Sequence, residues 1–149
     1  MEHKTIGAGI IAVDEKTGDI LLGRRSFQSP SPNTWAPFGG TFELKDGNPK
    51  TTAKREFSEE TKSDEHYEIS SSPFYVQKGP ILDFYNYIGI FGSKFIPNID
   101  KEHLAFGWFP FDSLPSNLHP GFKELISRKG EVLKKVIEKI KNNSDEQID

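Results

Sequence analysis

The chain of 149 residues contains no cysteine, and that absence excludes several kinds of chemistry. A chain without cysteine has no disulfides, no thiolate-bound zinc and no cysteine nucleophile. It suits a reducing compartment, so we expect a cytoplasmic protein. Long apolar runs are also missing: stretches such as residues 10–13 are far too short to span a bilayer, and the first residues do not resemble a signal peptide. We therefore expect no membrane partner.

An excess of positive charge is missing as well. The chain has 19 lysines and arginines against 22 aspartates and glutamates, which gives a formal net charge of −3. Proteins that coat nucleic acid phosphates usually show the opposite balance. We therefore expect no nucleic acid polymer as partner.

The chain does contain enough apolar material for one compact core, including 12 phenylalanines. Its length predicts a single domain over residues 1–149, with a frayed tail at 143–149. Strands are predicted at residues 5–13, 20–25, 72–77, 84–91 and 105–110. The acidic turn at 14–19 lacks the alternating ligands of a calcium loop, so an ordinary hairpin turn is the favoured interpretation.

Two helices complete the expected architecture. Asn48 suits an N-cap and Pro49 a first helical position, and this helix should reach about Thr61. A final helix is predicted over residues 121–141, interrupted near Gly130. The order of strands, helix, strands, helix predicts an α+β or mixed α/β fold.

The first helix carries an acidic face. Glu56, Glu59 and Glu60 are related by the spacings i, i+3 and i+4, so they share one side of the helix. Such a trio is often only a solvated surface, but it is also what an oxygen-seeking cation such as Mg²⁺ requires. Arg55 precedes the first glutamate, and the upstream pair Gly39-Gly40 allows the backbone to approach a ligand or metal closely.

These residues together resemble the sequence box of the Nudix (MutT-like) hydrolases, G-x5-E-x7-R-E-U-x-E-E-x-G-U, where U is aliphatic or aromatic. The glycine pair, the capped helix start and the segment Arg55-Glu56-Phe57-Ser58-Glu59-Glu60 occur in the right order. The hairpin before the box and the segment from Glu102 to Trp108 are similar to this family too, so the resemblance covers roughly residues 5–140. It implies a Nudix-type α/β/α sandwich with a mixed central sheet.

Three departures from the box are visible. The spacing from Gly40 to Arg55 is one residue longer than in the family, which we interpret as an insertion within residues 44–47. Counted back from Arg55, the first box glutamate falls on Gly47, and Asp46 is the nearest carboxylate. The late box glycine is Lys62, where a left-handed helix end would cost some strain, and the final apolar position is Ser63.

The resemblance also implies functional roles. Mg²⁺, with Mn²⁺ as an alternative, would be held by Glu56, Glu59, Glu60 and the Gly40 carbonyl. Glu59 or Glu60 would act in catalysis, and Arg55 would orient the glutamates. Glu102 lies where many members carry an extra carboxylate, either a metal ligand or a general base. Substrate binding is assigned to Arg25, Gly39 and Gly40. For Arg25 and Glu102 a solvated surface role is an equal alternative.

The implied reaction is hydrolysis of a nucleoside diphosphate linked to another group. A nucleoside triphosphate, plain or oxidised, cleaved to monophosphate and pyrophosphate is the first expectation, and ADP-ribose or a nucleotide sugar is the alternative. A catalytically silent nucleotide-binding regulator and an interaction domain using the last helix are further alternatives. Trp35, Phe38 and Tyr85 are candidates for stacking on a base, although core packing is the more common role of such residues. We expect a monomer or a homodimer.

Overall fold

A computed structural model describes residues 4–146 of the chain, without the side chain of Glu146. It contains eight strands and two long helices within that range. The strands are β1 (Thr5–Asp14), β2 (Ile20–Arg25), β3 (Trp35–Ala36), β4 (Phe38–Thr41), β5 (Tyr67–Ile69), β6 (Tyr75–Lys78), β7 (Leu82–Phe91) and β8 (His103–Phe109). The helices are α1 (Pro49–Thr61) and α2 (Pro120–Glu146), and single 3₁₀ turns lie at Leu44–Asp46 and Phe111–Ser113.

The strands form one mixed sheet with β1 at its centre. β1 pairs in parallel with β7 along its whole length, while the other pairings are antiparallel. On its other side β1 pairs with β4 from Gly7 to Ile10 and then with β2 at Val13. Two strands therefore share this edge of β1: β4 lies beside its first half and β2 beside its end.

The two helices cover opposite faces of the sheet. Alternate residues of a strand point to opposite faces, and in β1 Ile11 and Val13 pack in the same core as Leu133 of α2. The alternate residues of the strand, Ile10 and Ala12, pack in a second core with Phe57 of α1. This confirms the predicted α/β/α arrangement with a mixed central sheet.

The start of α1 follows the predicted signals. The Asn48 side chain accepts a hydrogen bond from the Thr51 backbone N–H at 2.9 Å, and Pro49 is the first helical residue. The helix ends at Lys62, which adopts the left-handed conformation with φ 57° and ψ 21°. Its N–H donates to the Ser58 carbonyl at 2.9 Å, so the residue that replaces the family's glycine still forms the usual helix end.

The last helix corrects two predictions. α2 runs without a break through Gly130, where an interruption was predicted, and continues to Glu146, where a frayed tail was predicted from residue 143. Residues 147–149 lie outside the described residues. Gly130 is tolerated because the apolar stripe of α2 stays buried on both sides of it, at Leu125 and Leu133. Helix propensity at one residue is worth less than this packing.

The remaining differences concern strands. The segment Tyr67–Ile69 forms a strand that the sequence did not predict, and it pairs with the end of β7. The strand predicted at 72–77 is confined to Tyr75–Lys78, and the one predicted at 84–91 begins earlier, at Leu82. No helix among residues 4–146 is both long enough and apolar enough to cross a membrane.

Candidate active site

Arg55 on α1 holds three carboxylates at once. Its guanidinium donates to Asp46 through Nε at 2.8 Å and Nη2 at 2.9 Å, and to Glu56 through Nη1 at 2.9 Å. Nη1 also lies 3.2 Å from Glu59, and Nη2 donates to the Thr41 carbonyl at 3.0 Å. A planar donor with five N–H groups suits such a cluster. Its contacts, first of all those with Asp46, raise the pKa of Arg55 above its already high usual value.

Asp46 belongs to this cluster, although counting along the sequence did not place a box residue there. The box alignment from Arg55 placed the first carboxylate position on Gly47, yet Asp46 is buried and forms the two-bond contact with Arg55. Asp46 also accepts from the Thr52 hydroxyl at 2.8 Å and from the Glu43 backbone N–H at 2.9 Å. The hydrogen bond from Arg55 is the main reason that the pKa of Asp46 lies well below its usual value. The 3₁₀ turn thus supplies the carboxylate that seemed lost.

Glu60 is the most buried of the three glutamates, with 8% of its surface exposed. Burial is the main cause that raises its pKa to about 8, and the nearby charges of Glu56 and Glu102 add to it. Among the described residues its Oε1 atom is buried without a hydrogen-bond partner. A buried acceptor without a partner costs stability unless something else satisfies it. A ligand from outside the protein would satisfy this buried Oε1 atom.

Glu56 lies against the glycine pair of β4. A Cβ atom on Gly40 would occupy the same space as the Glu56 carboxyl group, so only glycine permits this approach. Gly39 has a different reason: a Cβ there would lie 2.6 Å from the Ala8 carbonyl oxygen of β1. The pKa of Glu56 is raised, mainly by burial and against the opposing effect of Arg55. The glycine pair therefore brings the Gly40 backbone and the Glu56 carboxyl group together.

The site opens into a groove with a volume of about 1400 Å³, referred to below as the groove. Of the predicted site residues, the following six line it: Arg25, Gly39, Gly40, Glu56, Glu60 and Glu102. Glu59 is 56% exposed and lies beside Arg55 instead, and it is not part of the lining. Arg25, at the end of β2, donates from Nε to the Pro30 carbonyl at 2.8 Å.

Two histidines also line the groove, and neither was assigned a function from the sequence. His103 follows Glu102 directly, and its ring packs against Phe38 with centroids 4.7 Å apart. Burial, helped by the charge of Arg25, lowers the pKa of His103 to about 4, so the ring is neutral at pH 7. The pKa of His119 is lowered for the same reasons. Arg25 is therefore a charged group close to two neutral rings.

The three aromatic residues considered for base stacking do not line the groove. Phe38 is 1% exposed and belongs to the core under α1. Trp35 packs edge-to-face on Phe109 at 5.1 Å, and Tyr85 packs against the same core as Phe38. Here the core interpretation was the right one. The phenylalanine that does reach the groove from the sheet is Phe84 on β7.

The donor atoms of the site fit a divalent cation. Glu56, Glu60 and Glu102 offer carboxylate oxygens and Gly40 a carbonyl oxygen, and oxygen donors are what Mg²⁺ prefers. The unpartnered Oε1 of Glu60 is the specific observation that supports this fit. Within residues 4–146 no three acidic or imidazole side chains already stand in a metal-holding geometry. Glu56 and Glu59 are both engaged by Arg55, so filling the site requires at least Glu56 to share its oxygens.

The family of the chain follows from its match to a known domain. The NUDIX domain family matches residues 3–129, which is most of the chain. The chain therefore belongs to the NUDIX domain family. It is an enzyme of the Nudix hydrolase class, whose members act on nucleoside diphosphate derivatives and generally use divalent metal ions.

Solved structures show the same fold. A Nudix hydrolase from M. smegmatis superimposes with a TM-score of 0.71 at 21% identity, covering 91% of this chain and 88% of the other. A MutT NUDIX hydrolase from Burkholderia pseudomallei gives 0.63 at 21% identity, covering 85% and 98%. A bifunctional NMN adenylyltransferase/ADP ribose pyrophosphatase from Francisella tularensis gives 0.60 at 18% identity, covering 89% of this chain and 42% of that one. No curated protein matches the chain.

Proposed function

We propose that this enzyme hydrolyses a nucleoside triphosphate, plain or oxidised in its base, to the monophosphate and pyrophosphate. One observation carries the proposal: Glu56, Glu60 and Glu102 gather at one end of a groove that is large enough for a whole nucleotide and also contains Arg25. An acidic site admits a polyphosphate only together with cations. We also propose that residues 1–149 form a single domain, cytoplasmic, and active as a monomer or homodimer on small nucleotides.

The metal proposed for the site is Mg²⁺, with Mn²⁺ as a substitute. Bound there, it would neutralise phosphate oxygens and lower the pKa of an attacking water. Glu56, Glu60 and the Gly40 carbonyl are the groups in the groove that would hold it. Glu59 was predicted as a ligand or a base, but it lies outside the groove lining, so its support for either role is weaker than that of Glu60.

The chain's own residues divide the remaining work. Arg25 lines the same groove and is the residue proposed to bind phosphate oxygens. Glu102 is the carboxylate proposed to accept a proton from the attacking water, since it lines the groove close enough to Glu60 for its charge to raise the pKa of that residue. Arg55 keeps Glu56 and Glu59 in place from outside the groove, and Asp46 fixes Arg55 in turn. Arg55 thereby acts as a positioning residue.

A second candidate is hydrolysis of ADP-ribose or a nucleotide sugar. The groove volume of about 1400 Å³ exceeds what a triphosphate needs, and one structural neighbour is described as an ADP ribose pyrophosphatase. A silent nucleotide-binding regulator would be expected to lose Arg55 or a box glutamate, and this chain keeps all four residues, Arg55, Glu56, Glu59 and Glu60. That alternative is therefore less well supported.

A hydrolysis panel tests these proposals. The protein is incubated with Mg²⁺ or Mn²⁺ and plain and 8-oxo nucleoside triphosphates, ADP-ribose, sugar nucleotides and diadenosine polyphosphates, and the products are resolved by chromatography. Monophosphate plus pyrophosphate from a triphosphate supports the first proposal. Turnover confined to ADP-ribose or a sugar nucleotide supports the second. Silence with both metals would favour the regulator.

The role of Glu60 is tested by one substitution and its matched control. Glu60→Gln removes the negative charge but keeps the shape, so we expect loss of metal-dependent turnover by at least about a hundredfold with the fold retained. Glu65→Gln makes the same chemical change at an exposed residue outside the groove and should leave turnover unchanged. Rates are compared at saturating metal, with circular dichroism as the check on folding. Full activity of Glu60→Gln would contradict the metal assignment.

A further inference from the structure

The floor of the groove is a part of the sheet that α2 does not cover. Side chains of β1 and β7 alternate between the two faces. On the α2 face, Ile11 and Ile88 are packed in the core beneath that helix. Nearer the starts of the same two strands, Gly7, Gly9 and Phe84 line the groove instead. Gly7 and Gly9 have no side chain, so Phe84 is the one of these three residues whose side chain faces the groove.

The ring of Phe84 leans across from β7 onto β1. Gly7 is its register partner in the parallel pairing. A Cβ on Gly7 would lie 2.8 Å from Cδ2 of Phe84, which is closer than real side-chain atoms pack, and 3.1 Å from Cε2. A Cβ on Gly9 would first meet the Phe38 carbonyl oxygen at 2.8 Å and then Cζ of Phe84 at 3.2 Å. The ring therefore occupies the space that a side chain on Gly7 would need, and it reaches as far as Gly9.

Core packing does not account for this phenylalanine. Phe84 belongs to neither of the two hydrophobic cores, whereas Phe38, Phe57 and Phe91 are fully buried in one of them. Its ring is partly exposed and faces the same groove as Glu56 and Glu60. Covering this aromatic surface with a ligand would be favourable, because apolar area would be removed from water.

The polar groups beside the ring are already engaged within the protein. The Asn86 amide donates to the Tyr75 carbonyl at 3.0 Å and to Gln77 Oε1 at 3.2 Å. The Gln77 amide donates to the Gly121 carbonyl and to Glu124, both at 2.7 Å. The NH₂ donors of both amides are therefore used within the protein. Beside them, the Phe84 ring offers a ligand an apolar surface.

We propose that Phe84 is the stacking platform for the base of the nucleotide, and that Gly7 is glycine because a side chain there would collide with this ring. This inference rests on the proposed nucleotide substrate. Stacking on an aromatic ring is tolerant of base identity, because every base has a π-face. Phe84 would thus distinguish a nucleotide from a bare polyphosphate without choosing strongly among bases.

Phe84→Leu and Phe84→Tyr test the platform with two matched substrates. ATP carries a base, and ribose 5-triphosphate carries the same phosphates without one. Leucine keeps an apolar side chain but has no π-face, so the ratio of kcat/KM for ATP to that for ribose 5-triphosphate should fall about tenfold, through KM. Tyrosine keeps the ring and should restore the ratio. Phe27→Leu, at an exposed phenylalanine outside the groove, should behave as wild type.

The outcomes separate this inference from the proposed function. An equal loss on both substrates, or no change in the ratio with leucine, would overturn the platform while leaving the hydrolase proposal intact. If the wild type cleaved neither substrate, the proposed reaction would be decided by the other nucleoside triphosphates of the hydrolysis panel. The platform is then judged by calorimetric titration with AMP and with ribose 5-phosphate in the presence of Mg²⁺. A preference for AMP that leucine lowers about tenfold supports it, and equal affinities in wild type and Phe84→Leu refute it.

Discussion

At the scale of a single residue, the burial of Glu60 opposes the ionisation of its carboxyl group. Its carboxyl group is buried near two other carboxylates, so the folded state favours the protonated form. Burial leaves the Glu60 carboxyl group away from water. The charged form of this group is therefore unfavourable in the folded protein when no cation is bound. Its protonation is therefore linked to folding.

We predict that the stability of the metal-free protein falls between about pH 6.5 and pH 8. The pKa of Glu60 is about 8 in the folded state against 4.5 for the free group, so in this window the folded state binds more protons than the unfolded state. Stability then decreases as pH rises, by about 2 kcal/mol over the window. Below pH 6.5 the lowered pKa of His103 acts in the opposite direction, because its neutral ring must become charged as pH falls.

Urea unfolding with a chelator at several pH values measures this dependence. In Glu60→Gln the slope between pH 6.5 and 8 should largely vanish, since the amide does not titrate. A slope of the same size in that variant would assign the effect to another group.

Lys62 provides a second test at this scale. It adopts a left-handed conformation at the end of α1, which costs a non-glycine residue about 1 kcal/mol. Its Nζ contacts the Glu59 carbonyl at 2.6 Å and lies 3.7 Å from Asp100, but it is half-exposed, so these contacts contribute little. We expect Lys62→Gly to be more stable than Lys62→Ala by about 1 kcal/mol, measured by thermal or urea unfolding. Equal stabilities would show that the conformation carries no strain.

Asp46 shows where single residues could not be placed from the sequence. The three glutamates of α1 were recognisable because the helix fixes their spacing. Asp46 lies outside the helix, and its contact with Arg55 depends on how the 3₁₀ turn at Leu44–Asp46 folds back. Counting residues along a chain does not measure such a return. The same limit applies to Phe84, whose proposed role depends on a glycine in a different strand, Gly7.

At the scale of elements, local signals were reliable where they are strong. Asn48 and Pro49 located the start of α1, and two short apolar runs separated by a turn located β1 and β2. The short strand Tyr67–Ile69 was not predicted, because three residues carry too little pattern. It exists because the end of β7 offers a pairing edge. Pairing with a neighbouring strand thus determines whether a segment with weak local preference forms a strand.

Gly130 gives a prediction for α2. Glycine in the interior of a helix is less favourable than alanine by about 0.5–1 kcal/mol. A Cβ added at Gly130 would meet Phe111 at 3.6 Å and Ile126 at 3.7 Å, which are ordinary van der Waals distances. Gly130→Ala should therefore raise the free energy of unfolding by about that amount, as measured by urea denaturation.

Gly18 is the matched control for this substitution. It has a φ of 79°, and a Cβ there would lie 2.6 Å from the Lys141 side chain. Gly18→Ala should therefore destabilise the protein. A destabilised Gly130→Ala would indicate that the helix needs flexibility at its middle, as the predicted interruption had implied.

For the molecule as a whole, metal binding should be linked to stability. The site combines residues from α1, β4 and the loop before β8, which are brought together only in the folded chain. A cation that binds only the folded state at ten times its Kd adds about 1.4 kcal/mol. For a domain of this size, that corresponds to a rise in Tm of about 3 °C.

Thermal unfolding with and without Mg²⁺ checks this prediction. Potassium chloride at the same ionic strength controls for general screening. The rise should be present in the wild type and strongly reduced in Glu60→Gln. An equal rise in both proteins would place the bound cation somewhere other than the glutamates.

The sequence by itself determined the class of fold and the acidic face of α1, because both depend on spacings of a few residues that helix and strand geometry fix directly. Only the tertiary structure decided that Glu60 is buried while Glu59 is exposed beside Arg55, that Asp46 completes the cluster, and that Phe84 lies in the groove while Phe38 lies in the core. These outcomes depend on which surfaces meet when β1, β4, β7 and the two helices pack together. Burial is a property of the whole packing, and no local stretch of the chain contains it.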